Sequence, residues 1–479
     1  MILACIASAQ TVVVGSKKFT ESYVLGEIAK KVIADAGLLV DHKQGMGNTS
    51  IVWGALSGGS IDAYAEYTGT LAEEILKKPG LSLEEIRAQL DLQGIGVSGE
   101  LGFNNTYALV MKRSRAAELG ITKISDLKNH PELKAGPTHE FLDRADGWKK
   151  VMANYGIELA DVKGIEHGLG YSGLNAGEID IKDCYSTDAE IAKYDLTVLQ
   201  DDRHFFPTYM AVWVYRKTLD PKAVKALESV VGTIDEGFMS RLNERADETK
   251  DYSAAAAMYF SEVSGKQVKV EQESLTQKIL GWTLEHLYLV GISLLLAVLF
   301  GVPLGIIASH PGRLSGFILG GTGVIQTIPS LALLALLVPI PFFGITERTA
   351  IMALFLYSLL PIVRNTAIGI STIPQPLRES AEALGLEPGA CLRKVYLPLA
   401  MPTILAGIKT SAVICVGTAT LAALIGAGGL GEPIISGLSL NDNATVLQGA
   451  IPAAVLAIVV QLLFDVLERA VVPRGLRKH

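Results

Sequence analysis

Two tyrosines three residues apart, Tyr64 and Tyr67 in the run IDAYAEYTGT, stand beside acids and ahead of a Thr-Gly-Thr turn. A phenol offers an apolar, electron-rich face and a hydroxyl that needs a partner when buried. Such rings are either packed core or the walls of a site for a cation. The second use requires several of them to converge, and candidates recur: Tyr107 in NNTYALVM, Tyr171 in GLGYSGL, Tyr185 in CYSTD and Tyr209 in FFPTYM. Other chemistries lack their residues. The eight histidines show no metal spacing and no Ser or Cys partner arranged as a triad, so no catalysis is assigned and no metal or cofactor is expected. Cys5, Cys184, Cys391 and Cys415 are scattered without CxxC or Cys/His spacing, which supports neither a zinc site nor a disulfide framework. Cys184 reads as an inert buried thiol.

The elements that must position these tyrosines follow from the pattern around them. TVVVGSKKFTESYVLGEIAKKVIADAG is a β-branched run, a Gly-Ser turn and apolar residues at helical spacing closed by Gly37, a β-loop-α unit. The rhythm returns at IGVSGELGFNNTYALVMKR and at GLGYSGLNAGEIDIKDCYSTDAEIAKYDLTVL. It predicts α/β lobes with central sheets, and such sheets bind ligands in the crevice at the carboxyl ends of their strands. At 479 residues and a positive mean hydropathy the chain exceeds one typical domain, and it divides in two. Up to about Gln277 charges, glycines and short apolar runs mix; from Trp282 onward the apolar stretches are long and charges gather at their ends. A soluble domain fused to a membrane domain is expected. The net charge of −7, with no Lys- or Arg-rich strip, excludes nucleic acid as a partner. No GxxxxGK[ST] loop occurs, so any ATP must be bound by another chain. Residues 1–9, in MILACIASAQ, resemble the tail of a secretory signal with a small-residue cleavage pattern after Ala9; the basic start is missing, which reads as a truncated signal. ILAC is the alternative, a lipoprotein box.

GSKKFTESYVLGE, GNTSIVWGAL, IDAYAEYTGT, NNTYALVM, EFLDRADG, GEIDIKDCYSTD and DDRHFFPTYMAVWVYR occur in this order. They resemble the substrate-binding proteins of the osmoprotectant transporters, which take up quaternary amines such as glycine betaine, choline and carnitine. The resemblance implies a two-lobed periplasmic-binding-protein fold of type II over residues 10–270, with lobe I at about 11–107 and 209–270 and lobe II at about 108–208. It also implies a tyrosine cage for a trimethylammonium group, placing Tyr67, Tyr107, Tyr185 and Tyr209 at or near it. Tyr171 is a candidate fifth wall, and Tyr64 is expected to pack. A quaternary ammonium has charge but no N–H, so ring faces can read it where hydrogen-bond acceptors cannot, at roughly 0.5–2 kcal/mol per contact. For a zwitterion's carboxylate the resemblance implies Thr70 and Ser22 as hydroxyl donors, with Arg144 the cation in a cleft loop. A salt bridge from Arg144 to Asp143, Asp146 or Glu140 is the alternative, and several relatives have Gln where Ser22 stands.

In the second half, runs at Leu284–Ser309, Leu314–Ile340, Thr349–Ile370, Ala400–Ile425 and Thr445–Leu467 are each long enough to cross a bilayer core. Five crossings are expected within an all-α permease domain, residues 283–470, after a linker at 271–282. Arg313, Arg364, Arg378, Arg393, Lys394, Arg474, Arg477 and Lys478 fall at alternate ends, which puts the tail, 471–479, in the cytoplasm and the soluble domain outside. The expected location is a bacterial inner membrane, with the chain multi-pass and in contact with lipid. ESAEALGLEPGACLRKVYLPLAMP, within a cytoplasmic loop at 371–399, resembles the coupling signature of ABC importer permeases. Glu379 and Ala381 fit its acidic start, Gly385 its turn, and Leu397 and Pro398 its end. The resemblance implies two short helices that dock on a separate ABC ATPase, and a homodimer of this chain enclosing the pathway. The importer's ligand is left open among glycine betaine, choline, carnitine, proline betaine and ergothioneine. A membrane-bound osmolyte sensor, and a membrane-anchored lyase acting on trimethylamines, are the readings of other classes.

Overall fold

The structure is a computed structural model and describes residues 11–265, 274–340, 342–440 and 442–472. The signal-like segment 1–9 with Cys5, residues 271–273 of the expected linker, and Arg474, Arg477 and Lys478 lie outside the described residues.

Ten strands are described: β1 (Val12–Lys17), β2 (Val40–Gly47), β3 (Ala63–Tyr67), β4 (Ile95–Asn104), β5 (Tyr107–Lys112), β6 (Lys134–Ala135), β7 (Asp161–Val162), β8 (Lys182–Tyr185), β9 (Leu196–Val198) and β10 (Met210–Arg216). They form two main sheets, β2-β1-β3-β10-β4 and β8-β5-β9, with β6 and β7 as a separate parallel pair. The β-branched run VVV opens β1 and is buried on nearly all positions, as a strand covered on both faces must be. The helix Thr20–Asp35 follows it and buries Val24, Leu25, Ile28 and Ile33 on one stripe. The chain leaves the first sheet at the end of β4 and, after two intervening residues, enters the second at Tyr107. It returns through the segment between β9 and Tyr209, just ahead of β10. These two crossings make the fold two-lobed, and Tyr107 and Tyr209 sit at its joints.

In the second half, Leu275–Ala308, Glu347–Ser371, Pro388–Ile425 and Asn443–Val471 are each long and apolar enough to cross a membrane. The expected second span is not one straight helix. Arg313–Thr327 and Ser330–Leu337 meet at 99°, because Pro329 cannot continue the backbone hydrogen-bond ladder and biases Ile328 to an extended conformation. Among the described residues the count is therefore four helices able to cross, or five if the bent pair is one span. Two expected boundaries also move. The first membrane helix begins at Leu275, inside the expected linker, where Ser274 and Gln277 form a capping box. The fourth begins at Pro388, well ahead of Ala400. It runs through a widened turn at Leu392–Tyr396, which absorbs Pro398, a residue with no N–H to give the preceding turn.

Candidate functional site

The β5–β8 pairing puts Tyr107 directly across from Tyr185, and their ring centroids lie 5.1 Å apart. Tyr107 meets Tyr209 at 5.8 Å, edge to face. Phe19, in the turn after β1, links the group to Tyr67, at 4.9 Å from Tyr185 and 6.4 Å from Tyr67. The four tyrosines expected at the cage thus form one continuous aromatic cluster where the lobes meet. Burial raises the pKa of all four phenols, so each ring stays neutral.

Each ring also has its hydroxyl or face engaged. Tyr67 donates its hydroxyl to Glu21, and Tyr209 donates to Asp146. The Arg144 guanidinium carbon lies 5.0 Å from the Tyr107 centroid and 6.0 Å from that of Tyr209. Of the three acids open to it, Arg144 pairs with Asp146, through two bonds of 2.7 Å. Burial pushes the Asp146 carboxyl up, but this pairing and the Tyr209 hydroxyl outweigh it and hold the acid below its ordinary value. On the other side Lys17 Nζ stands 4.9 Å from the Tyr67 centroid and 2.6 Å from Glu66. Two internal cations therefore rest on the rings, and each is neutralised by its own carboxylate.

Tyr171, Ser22 and Tyr64 are engaged elsewhere. Tyr171 lies in a second core group with Leu174, Cys184 and Leu196. Its hydroxyl donates to Asp188 at 2.5 Å and Lys182 Nζ sits 3.8 Å over its ring, so the face that would wall a cage is taken. His167 stands between it and the cluster, stacked on Tyr185 at 4.9 Å. Ser22 accepts the backbone N–H of Lys17 at 2.8 Å, which places it as a turn brace under β1. Thr70 is buried in the short helical turn after β3. Tyr64 packs, with its hydroxyl on Glu66 at 3.0 Å. Cys184 is fully buried, and burial raises its thiol pKa far from the reactive range.

Sequence reasoning missed Lys17, Phe19, Glu21 and His167. KKFTES carries the first three in plain sight, but only the turn after β1 shows that they face the tyrosines. A cavity of about 100 Å³ opens beside Tyr185, lined by Lys17, Phe19, Thr138, Glu140 and His167 among others. Across the cleft Lys18 reaches Glu166 at 3.2 Å and Thr49 donates to Glu140 at 3.0 Å, so the lobes are closed on each other.

In the membrane half, Glu379 lies exposed on the helix Gln375–Ala383, held by Gln375 Nε2 at 3.1 Å, and Ala381 is buried. Gly385 has φ of +70° and ends that helix, with Leu386 N–H returning to the Ala381 carbonyl. Arg378 ties the segment back to the preceding helix by donating to the carbonyls of Ile370 and Ile373. Leu397 and Pro398 lie within the long helix Pro388–Ile425, not in a separate second coupling helix.

Residues 10–262 match the family described as the substrate-binding domain of ABC-type glycine betaine transport systems. Residues 301–474 match the family described as the inner membrane component of binding-protein-dependent transport systems. The choline transport system permease protein OpuBB of Bacillus subtilis is 43% identical over 196 residues, 41% of this chain and 89% of that protein. The osmoprotectant import permease protein OsmW of Salmonella typhimurium is 40% identical over 198 residues, 41% of this chain and 92% of that one. A crystal structure of a glycine betaine/carnitine/choline ABC transporter covers 52% of this chain and 98% of its own, at 26% identity and a TM-score of 0.44.

Proposed function

This chain belongs to the family of substrate-binding domains of ABC-type glycine betaine transport systems, continued into an inner-membrane transport component, and from that premise we propose how its cleft selects a solute. It is an osmoprotectant importer subunit in which receptor and permease share one chain. The solute is a quaternary amine of the betaine, choline or carnitine type. The carrying observation is the single aromatic cluster of Tyr67, Tyr107, Tyr185 and Tyr209 at the crossings of the two lobes.

In this reading the trimethylammonium group enters among the four ring faces and takes the places held by the Lys17 and Arg144 side chains. Both cations then turn to the ligand's carboxylate where it has one, with Thr70 as a hydroxyl donor. Two or three ring contacts at roughly 0.5–2 kcal/mol each supply a useful share of the about 8 kcal/mol that a micromolar affinity requires. The receptor spans about residues 10–270 and faces the periplasm. Two copies of the chain enclose the pathway in the inner membrane. A separate ABC ATPase docks on the segment carrying Glu379 and Gly385, and its closure drives import. The positions of Arg313, Arg364, Arg378, Arg393 and Lys394 support this orientation.

Calorimetric titration of the full chain in lipid nanodiscs tests the reading. Choline, glycine betaine, carnitine, proline betaine and ergothioneine form the panel, with a neutral sugar as control. At least one quaternary amine is expected to bind far more tightly than the sugar. Binding of none of them removes the proposal.

A further inference from the structure

We infer that Glu21 is the fixed negative charge against which the ligand's cation is read, and that it also ties together the segments carrying Tyr67, Tyr107 and Tyr185. This rests on the reading of the cleft as a site for a quaternary amine. Glu21 lies on the helix Thr20–Asp35 and is buried, at 2% exposure. Oε1 accepts from the Tyr67 hydroxyl and from Asn105 Nδ2 at 2.8 Å. Oε2 accepts from Thr187 Oγ1 at 2.5 Å and from Asn243 Nδ2 at 3.3 Å. Asn105 stands two residues before Tyr107 and Thr187 two residues after Tyr185, so one carboxyl joins three cage segments and both lobes.

Among the described residues Glu21, Asp183 and Glu140 are each held by neutral donors without an ion-pair partner, and of these three it is Glu21 that accepts a cage tyrosine's hydroxyl. Each of three other acids around the cage has a basic nitrogen as partner: Glu66 has Lys17 at 2.6 Å, Asp146 has Arg144 at 2.7 Å and Asp188 has His167 at 3.0 Å. Glu21 is bonded by neutral donors only, and among the described residues no cationic side chain lies within ion-pair distance of it. The two amide NH₂ groups can only donate and the two hydroxyls can donate as well as accept, so the four together satisfy an ionised acid, which accepts and cannot donate. Asn105 and Asn243 leave their amide oxygens buried without a partner while aiming their NH₂ groups at it. Burial raises the carboxyl pKa from its ordinary 4.5, and the donors pull against that rise.

A buried anion without a counter-ion is costly, and a cation arriving beside it relieves that cost. The arriving group is the quaternary ammonium at the Tyr67 ring. It has no N–H, so it compensates the charge without drawing any of the four donors away. The Tyr67 hydroxyl, donating to a carboxylate, leaves its ring face more negative and better matched to the cation.

The experiment compares choline with 3,3-dimethylbutan-1-ol, its uncharged carbon isostere, by titration of the full chain in nanodiscs. The wild type is expected to prefer choline. Glu21→Gln keeps the shape and removes the charge; it is expected to cut choline affinity by about tenfold and that of the isostere far less. Glu21→Asp is expected to retain most of the preference. Thr187→Val removes one donor and keeps the charge, so it is expected to weaken both probes by a similar factor. Equal losses of the two probes in Glu21→Gln, or no loss, overturn the inference while leaving the proposed function intact. If Glu21→Gln does not fold, a loss of the choline preference in Thr187→Val overturns it, and a retained preference supports it. A wild type that binds no quaternary amine overturns both.

Discussion

Around the tyrosines, buried charges come in pairs: Lys17 with Glu66 and Arg144 with Asp146, each pair resting against a ring. In the membrane helices the interior contacts run instead through small residues. A Cβ on Gly305 of Leu275–Ala308 would stand 2.5 Å from Thr366 Cβ and 2.7 Å from the Val363 carbonyl of Glu347–Ser371. Among the described residues that half has a single ion pair, Lys409 with Asp465. The soluble half keeps charges inside, most of them with an opposite partner and Glu21 with neutral donors alone. The permease gains nothing by hiding apolar surface from apolar lipid, so its helices associate by close backbone approach. Buried charge pairs therefore characterise one half, and close steric fit between helices the other.

The largest expected effect breaks the steric side. Gly305→Leu forces side chains into an occupied interface, at about 1–3 kcal/mol or more, and is expected to destabilise the membrane half while choline affinity persists. Thermal unfolding and titration on the same nanodisc sample separate the two. Next comes the ring face: Tyr107→Ala is expected to weaken binding of choline or glycine betaine by about 1–2 kcal/mol, and Tyr107→Phe by less, since the face remains. Equal losses in the two variants would assign the effect to the hydroxyl.

Gly385→Val tests coupling. No atom lies within 4 Å of the position a Cβ would take, so its cost comes from the left-handed backbone alone, about 1–2 kcal/mol. ATP-driven uptake in vesicles reconstituted with the ATPase is expected to fail while solute affinity is unchanged; normal uptake would discard the coupling role. A smaller effect is a pH dependence. The Asp146 pKa lies below its ordinary 3.8, so its contribution to stability is present above that value and is lost as pH falls through the folded pKa. Wild type is expected to lose more thermal stability than Asp146→Asn between about pH 4 and pH 2; parallel curves would argue against the pairing. The smallest effect belongs to Tyr171→Leu, which removes the ring and keeps apolar bulk; it is expected to leave choline affinity unchanged because Lys182 covers that ring. A tenfold loss would return Tyr171 to the cage.

The alternation of β-branched runs with helical spacing, the apolar stretches of the second half and the glycine between two helical patterns were all legible along the chain. Each depends on neighbours a few residues apart, and periodicity records those directly. The motifs also carried Tyr67, Tyr107, Tyr185 and Tyr209 to one place. What their faces meet was not legible. Lys17 and Tyr67, or Arg144 and Tyr209, are brought together by sheet register and by the chain's two crossings between lobes. The same holds for Tyr171, whose motif matches a cage wall but whose helix turns its ring onto Lys182. Leu314–Ile340 read as one apolar span, and only the structure shows the 99° bend at Pro329. Sequence by itself determined which residues offer aromatic faces and charges and which segments could cross a membrane, because both follow from side-chain chemistry and local spacing. Only the tertiary structure decided which rings are open, which cations guard them and that Glu21 has no counter-ion, because those depend on contacts between residues up to some two hundred positions apart.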